Sequence, residues 1–127
     1  MDLSNFDPRE AAETGVEIEL KIDGEVVYSD EDDKPITFTL KGTYDPAVGE
    51  LVMKDQNAPK HRTPEEAKKA DMKLARAAII GWSDNFTTNG EKLPFSKANI
   101  EKVLDNPVIR RAVLMEVFRQ ANFMPKR

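Results

Sequence analysis

The chain has 127 residues, 39% of them hydrophobic and 33% charged, and a formal net charge of -4. That length suits one domain around one core, and the aliphatic content is too high for a chain disordered throughout. The acidic balance argues against nucleic acid as a partner, and the lack of cysteine excludes disulfides, thiolate metal sites and thiol nucleophiles.

Residues 1–15 mix acidic and small side chains without a period, which predicts a flexible arm with one helical turn after Asp7-Pro8. This opening lacks the basic start and apolar run of a signal peptide, and no stretch reaches the roughly 18 apolar residues of a membrane span. A soluble intracellular protein with no membrane partner is expected. Val16, Ile18, Leu20 and Ile22 then alternate with Glu17, Glu19 and Lys21, the period of two that marks a strand with one apolar face. Asp23-Gly24 supplies the positive φ angles of a two-residue hairpin turn, so residues 25–28 are expected to pair back on the first strand.

The carboxylates of residues 29–35 would repel one another in a packed element and predict a solvated loop. Asp30-Glu31-Asp32-Asp33 lacks the glycine and terminal glutamate of a helix-loop-helix calcium site, so no metal is expected there. Alternation resumes at Ile36-Thr37-Phe38-Thr39-Leu40-Lys41 and ends at Gly42, predicting a third antiparallel strand. Residues 16–42 thus read as a hairpin or three-stranded sheet whose apolar face needs a cover.

The cover is expected from helices. Asp45-Pro46 starts a short one carrying Val48, Leu51 and Val52, and the rest of residues 45–62 is a polar linker. His61 sits there alone, without a second ligand, so solvent exposure is expected rather than catalysis or metal binding. Thr63-Pro64-Glu65-Glu66 is a capping box with proline in the first turn, the start of a long helix. Its face of Ala67, Ala70, Leu74, Ala75 and Ala78 continues at helical spacing into Ile79 and Trp82. Ser96 caps a helix over residues 97–104, and Asn106-Pro107 begins the last one. There Ile109, Ala112, Val113, Val117 and Ala121 form a stripe widened by Leu114 and Phe118, while Arg110, Arg111, Glu116, Arg119 and Gln120 are expected to stay wet. The predicted fold class is α+β: an N-terminal antiparallel hairpin or three-stranded sheet followed by a C-terminal bundle of three to four helices over residues 63–122, within one domain of residues 1–127.

No constellation for catalysis emerges. A nucleophile needs a base, and His61 lies far from any serine in a strained turn. The paired carboxylates Glu17/Glu19 and Glu65/Glu66 are explained by a wet strand face and a helix N-terminus. Glycine-rich phosphate loops are missing, and Asn85-Phe86-Thr87 matches a glycosylation acceptor only by chance without an export signal. A protein that is not an enzyme, with no cofactor and no metal, is expected.

What remains is Gly81-Trp82, Phe86 and Leu93-Pro94-Phe95, an aromatic connection with Asn89-Gly90 as a tight turn at its tip. Its aromatics can plug one end of the helical core, present an anchor to another protein, or do both. The order of features resembles the tail assembly chaperones of long-tailed bacteriophages, small tail-associated proteins encoded between the tail tube and tape measure genes. The resemblance is carried by a strand-rich opening, a charged middle, Ile79-Ile80-Gly81-Trp82-Ser83, a short turn, Leu93-Pro94-Phe95-Ser96, the helix through Asn99 and Leu104, Pro107, and the closing Ala121-Asn122-Phe123. It covers the C-terminal half well and the N-terminal half in outline.

Such a resemblance implies an accessory, working in the cytoplasm of the infected bacterial host, that binds the tape measure protein and keeps its apolar helices soluble. It also implies recruitment of tail tube protein and departure before the tail matures. Members are often made also as a longer frameshifted product. A surface centred on Ile79, Trp82, Phe86, Phe95, Val117, Phe118 and Phe123 is the expected site for an apolar helix or strand of a tail protein. Wide apolar helical faces also close as dimers or rings, which makes a homo-oligomer compatible with the sequence. The other class is a structural minor tail or tail completion protein retained in the virion, for which the strand edges of the N-terminal hairpin would matter more.

Overall fold

In the computed structural model, residues 2–60 and 62–125 are described; the expectation for His61 lies outside them. The alternating segments form strands β1 (Val16–Glu19), β2 (Lys21–Ile22), β3 (Glu25–Val26) and β4 (Thr37–Leu40). β1 and β4 pair antiparallel, Ile18 opposite Phe38 and Val16 opposite Leu40, which puts the apolar residues of both on one face. The run 16–22 is therefore not one strand of a simple hairpin. At Leu20 it changes partner: the Leu20 amide donates to the Ile36 carbonyl at 2.8 Å, and its own carbonyl accepts from Val27 at 2.9 Å. Beyond that point only the tip folds back, Lys21 against Val26 and Ile22 against Glu25, with Asp23 at φ 53° and Gly24 at φ 82° making the expected turn.

The third strand of the main sheet comes from the C-terminal half. Order runs β1-β4-β5, with β5 (Ile79–Trp82) antiparallel to β4. This corrects the reading of Ile79 and Trp82 as the end of a helix. The helix α3 (Pro64–Ala78) stops at Ala78, and Ile79 already has extended backbone at φ -85°, ψ 121°. Two β-branched residues followed by glycine suit the open edge of β4 better than another helical turn. A register shift between Thr39 and Leu40 lets residues 79–81 span two positions of β4. That extra residue keeps Ile79 and Trp82, three apart, both on the core side, and leaves Ile80 exposed.

Helices α2 (Pro46–Gln56), α3, α4 (Lys97–Asp105) and α5 (Pro107–Val117) pack on one another, α2 on α3 and α4 on α3 and α5, and share one core with the sheet. Their starts follow the sequence signals. Asp45 caps α2 through the Val48 amide, Thr63 and Glu66 exchange both bonds of a capping box at 3.1 Å, Ser96 caps α4, and Asn106 caps α5. Phe38, Leu40, Val48, Leu104, Val113 and Val117 are the largest fully buried side chains, so the core sits between β4 and the crossing of α3 and α5.

The segment expected as a loose arm is docked through its second half. A 3-10 turn at Leu3–Phe6 leads into α1 (Arg9–Thr14), which begins after Asp7-Pro8 as its sequence suggests. Ala12 is 0% exposed, and its carbonyl accepts from Gly42 at 3.1 Å. At the end of α1, Gly15 has φ 95°, and a Cβ there would lie 2.5 Å from Ile80 Cδ1. Only glycine both turns there and lets that side chain approach. The overall class is α+β, a three-stranded antiparallel sheet with mostly C-terminal helices.

Candidate functional site

The seven expected contact residues divide three ways. Ile79, Phe86, Val117 and Phe123 are buried, so a rigid partner cannot reach them and their place in an accessible surface is corrected to one in the core. Phe123 fills the space over Gly42, where a Cβ would come within 2.9 Å of its ring. Trp82 is half-buried, and Phe95 and Phe118 are exposed.

Trp82, Phe86 and Phe95 come together. Phe38 on β4 stands edge-on to Trp82 at 5.9 Å and to Phe86 at 5.6 Å, and Trp82 meets Phe86 at 5.5 Å. Phe95 completes the series, edge-on to Trp82 at 4.8 Å and 40% exposed. Offset and edge-to-face rings of this kind are rigid and apolar, and such pairs add roughly 0.5–1.5 kcal/mol beyond burial. The connection carrying them is built from the hairpin of β6 (Thr87–Thr88) and β7 (Glu91–Lys92), turned at Asn89 (φ 51°) and Gly90 (φ 79°) as the sequence indicates.

Below the aromatics lies a polar knot that the sequence reading missed. Asn85 is buried; its side-chain amide donates to Asp32 at 3.1 Å and to the Pro35 carbonyl at 3.2 Å, and its side-chain oxygen accepts from Ser83 at 2.6 Å. The buried Ser29 hydroxyl donates to the Asn85 carbonyl. The acidic loop of residues 29–35 is solvated as expected, with residues 30–34 exposed, but it is also tied to the aromatic segment through Ser29, Asp32 and Pro35. The Asn85 hydrogen bond holds the Asp32 carboxyl below its ordinary range, aided by the Lys34 amide.

Phe118 belongs to a different place. Val108, Met115 and Phe118 recur on the outer face of α5 at i, i+7 and i+10, and all are exposed, Met115 at 55% and Phe118 at 52%. Met115 and Phe118, together with Leu114 and Pro107, line a groove of about 570 Å³ rimmed by Arg110, Arg111, Arg119 and Asp71. Arg110 caps the end of α4 by donating to the Leu104 carbonyl at 2.9 Å. Glu116, expected to be wet, is buried; Asn122 donates to its carboxylate at 2.7 Å, and Arg119 stands 3.5 Å away. The spacing of Val108, Met115 and Phe118 is visible in the sequence, and it places Phe118 on the outer face rather than on the inner stripe of Ala112, Val113 and Val117.

Elsewhere the shifted titratable groups are surface pairs or carboxylates at helix starts, Asp2 lowered by hydrogen bonds from Ser4 and Glu66 by those of Thr63. Arg76 holds Glu101 below its usual range, Lys68 does the same for Asp105, and Arg9 lowers Asp7 to about 2. Among the described residues no group of His, Asp and Glu is arranged to hold a metal ion, and no helix is long and apolar enough to cross a membrane. No family model, curated protein or solved structure matches the chain.

Proposed function

We propose that this protein is a non-enzymatic tail assembly chaperone of a long-tailed bacteriophage, acting in the host cytoplasm, which binds the tape measure protein and helps recruit tail tube subunits. The sequence pattern around Trp82 and Leu93-Pro94-Phe95-Ser96 supports the family, and one structural observation supports the mode of action. Phe95 is exposed, yet it is braced edge-on by Trp82, whose other ring contacts are the buried Phe38 and Phe86. A braced aromatic loses little conformational entropy on contact, and residues of this type dominate interface energetics. An apolar helix of the tape measure protein would lie across this shelf, while the charged remainder keeps the complex in solution.

Co-expression with a tape measure fragment tests the reading: the fragment should become soluble, and Phe95→Ala should reverse most of that gain without unfolding the chaperone. A fragment equally insoluble with and without the chain refutes it. The second reading, a minor tail or completion protein, is favoured by the two edges that β1 and β5 leave at the ends of the sheet. Purified virions separate the two, since a tail component is present in stoichiometric amount and a chaperone is absent.

A further inference from the structure

We propose that Asn89-Gly90, at the tip of the β6-β7 hairpin, is a site of spontaneous backbone modification, where the chain converts its own asparagine to aspartate and isoaspartate. The Gly90 amide nitrogen attacks Cγ of Asn89 and gives up its proton, and the side-chain nitrogen leaves as ammonia. The succinimide ring so formed then takes up one water, the sole co-reactant. Opening at the Cγ–N bond gives aspartate. Opening at the bond to the main-chain carbonyl carbon gives isoaspartate, whose backbone runs through Cβ and Cγ and is one carbon longer.

Three features of the tip favour this chemistry. Asn89 and Gly90 are both exposed, and a Cβ built at Gly90 would meet nothing within 4 Å, so the ring has room to form. Among the described residues, no hydrogen bond holds the Asn89 side chain or the Gly90 amide. Ring closure also requires Asn89 to leave its left-handed conformation at φ 51°, and the structure that keeps it there is slight. The hairpin has two pairs, Thr87 with Lys92 and Thr88 with Glu91, and so short a ribbon opens locally long before the core does.

The six other asparagines lack this combination. Asn106 precedes a proline, which has no N–H to attack with. Asn85, Asn99 and Asn122 each commit the side-chain nitrogen to a hydrogen bond. Asn5 and Asn57 precede Phe6 and Ala58, whose side chains crowd the ring where glycine does not. Position 89 also matters to the aromatic cluster. Just past the two hairpin pairs the Leu93 amide donates to the Phe86 carbonyl at 2.9 Å, and the Leu93 carbonyl receives the Trp82 indole. A turn one carbon longer misaligns these bonds and loosens the segment that carries Phe95.

Incubation of the full chain at mildly alkaline pH tests this, read by intact mass and by peptide mapping that separates aspartate from isoaspartate. Residue 89 should convert well ahead of the six other asparagines, faster as pH rises because the attacking amide must lose its proton, with isoaspartate the larger product. Asn89→Gln would have to close a larger ring and should keep its mass over the same period, with the same fold by circular dichroism. A folded chain whose mass stays constant would overturn the proposal, and conversion in a parallel urea sample alone would show that the turn locks Asn89. First conversion at any other asparagine would overturn it as well. In the separated isoaspartate form, emission of Trp82, the sole tryptophan, should shift to the red; unchanged emission would refute the loosening of the shelf. None of these readings uses the tape measure fragment, so this proposal and the chaperone role fail independently.

Discussion

The indole N–H of Trp82 donates to the carbonyl of Leu93 at 2.6 Å, joining the end of β5 to the segment that carries Phe95. This bond adds to the ring contacts that set the aromatic shelf against the sheet, because β5 is itself held by β4. Both ends of the bond are shielded, so losing the donor leaves a carbonyl in a poorly hydrated place.

Trp82→Phe should keep the ring packing on Phe38 and Phe86 but remove this bond. A loss of about 1–2 kcal/mol is expected, with a smaller cavity than a truncation to alanine would leave. Thermal unfolding followed by circular dichroism should show a transition lowered by several degrees. An unchanged midpoint would mean that Leu93 is satisfied in another way.

Gly15→Ala should destabilise by about 1–3 kcal/mol, since a side chain at φ 95° is strained and its Cβ would press on Ile80. Gly24→Ala, also at positive φ but with nothing within 4 Å of its Cβ, is the control and should cost less. Urea unfolding of both variants measures the difference. Equal losses would show that the backbone angle alone matters and that the contact with Ile80 does not.

Glu116→Ala removes one of the two acceptors of the Asn122 amide, leaving the Glu116 main-chain carbonyl at 2.9 Å, and the charge beside Arg119, in a buried position at the end of α5. A loss of about 1–3 kcal/mol is expected from the lost bond and the space left by the side chain. Glu116→Gln keeps an acceptor for Asn122 and should recover part of the loss. Chemical unfolding of the pair of variants decides whether Glu116 is a structural lock or an ordinary surface acid.

Asp7 titrates at about 2, lowered from 3.8 by hydrogen bonds from the Arg9 side chain and amide. A carboxyl lowered in the folded state contributes stability that is fully present above the unfolded value and is lost as pH falls through the folded one. The contribution of this pair should therefore fade between about pH 4 and pH 2. The carboxyl resonance of Asp7 followed by NMR should show a low midpoint in the wild-type chain and a higher one in Arg9→Ala.

Local signals determined much of this protein without reference to the fold. The caps at Asp45, Thr63, Ser96 and Asn106, the turns at Asp23-Gly24 and Asn89-Gly90, and the alternation around Phe38 act over three or four residues, and their bonds close within the same stretch. The tertiary structure alone decided which edges paired. Ile79 and Trp82 fit a helix by spacing and became a strand because β4 had a free edge that only a distant segment could fill. Asn85 and Glu116 are ordinary polar residues in the sequence; partners brought to them by folding made them buried. The same held for the candidate surface: periodicity reports that a face is apolar, but whether another element covers it depends on packing between residues far apart, which buried Val117 and Phe123 and left Phe95 and Phe118 outside.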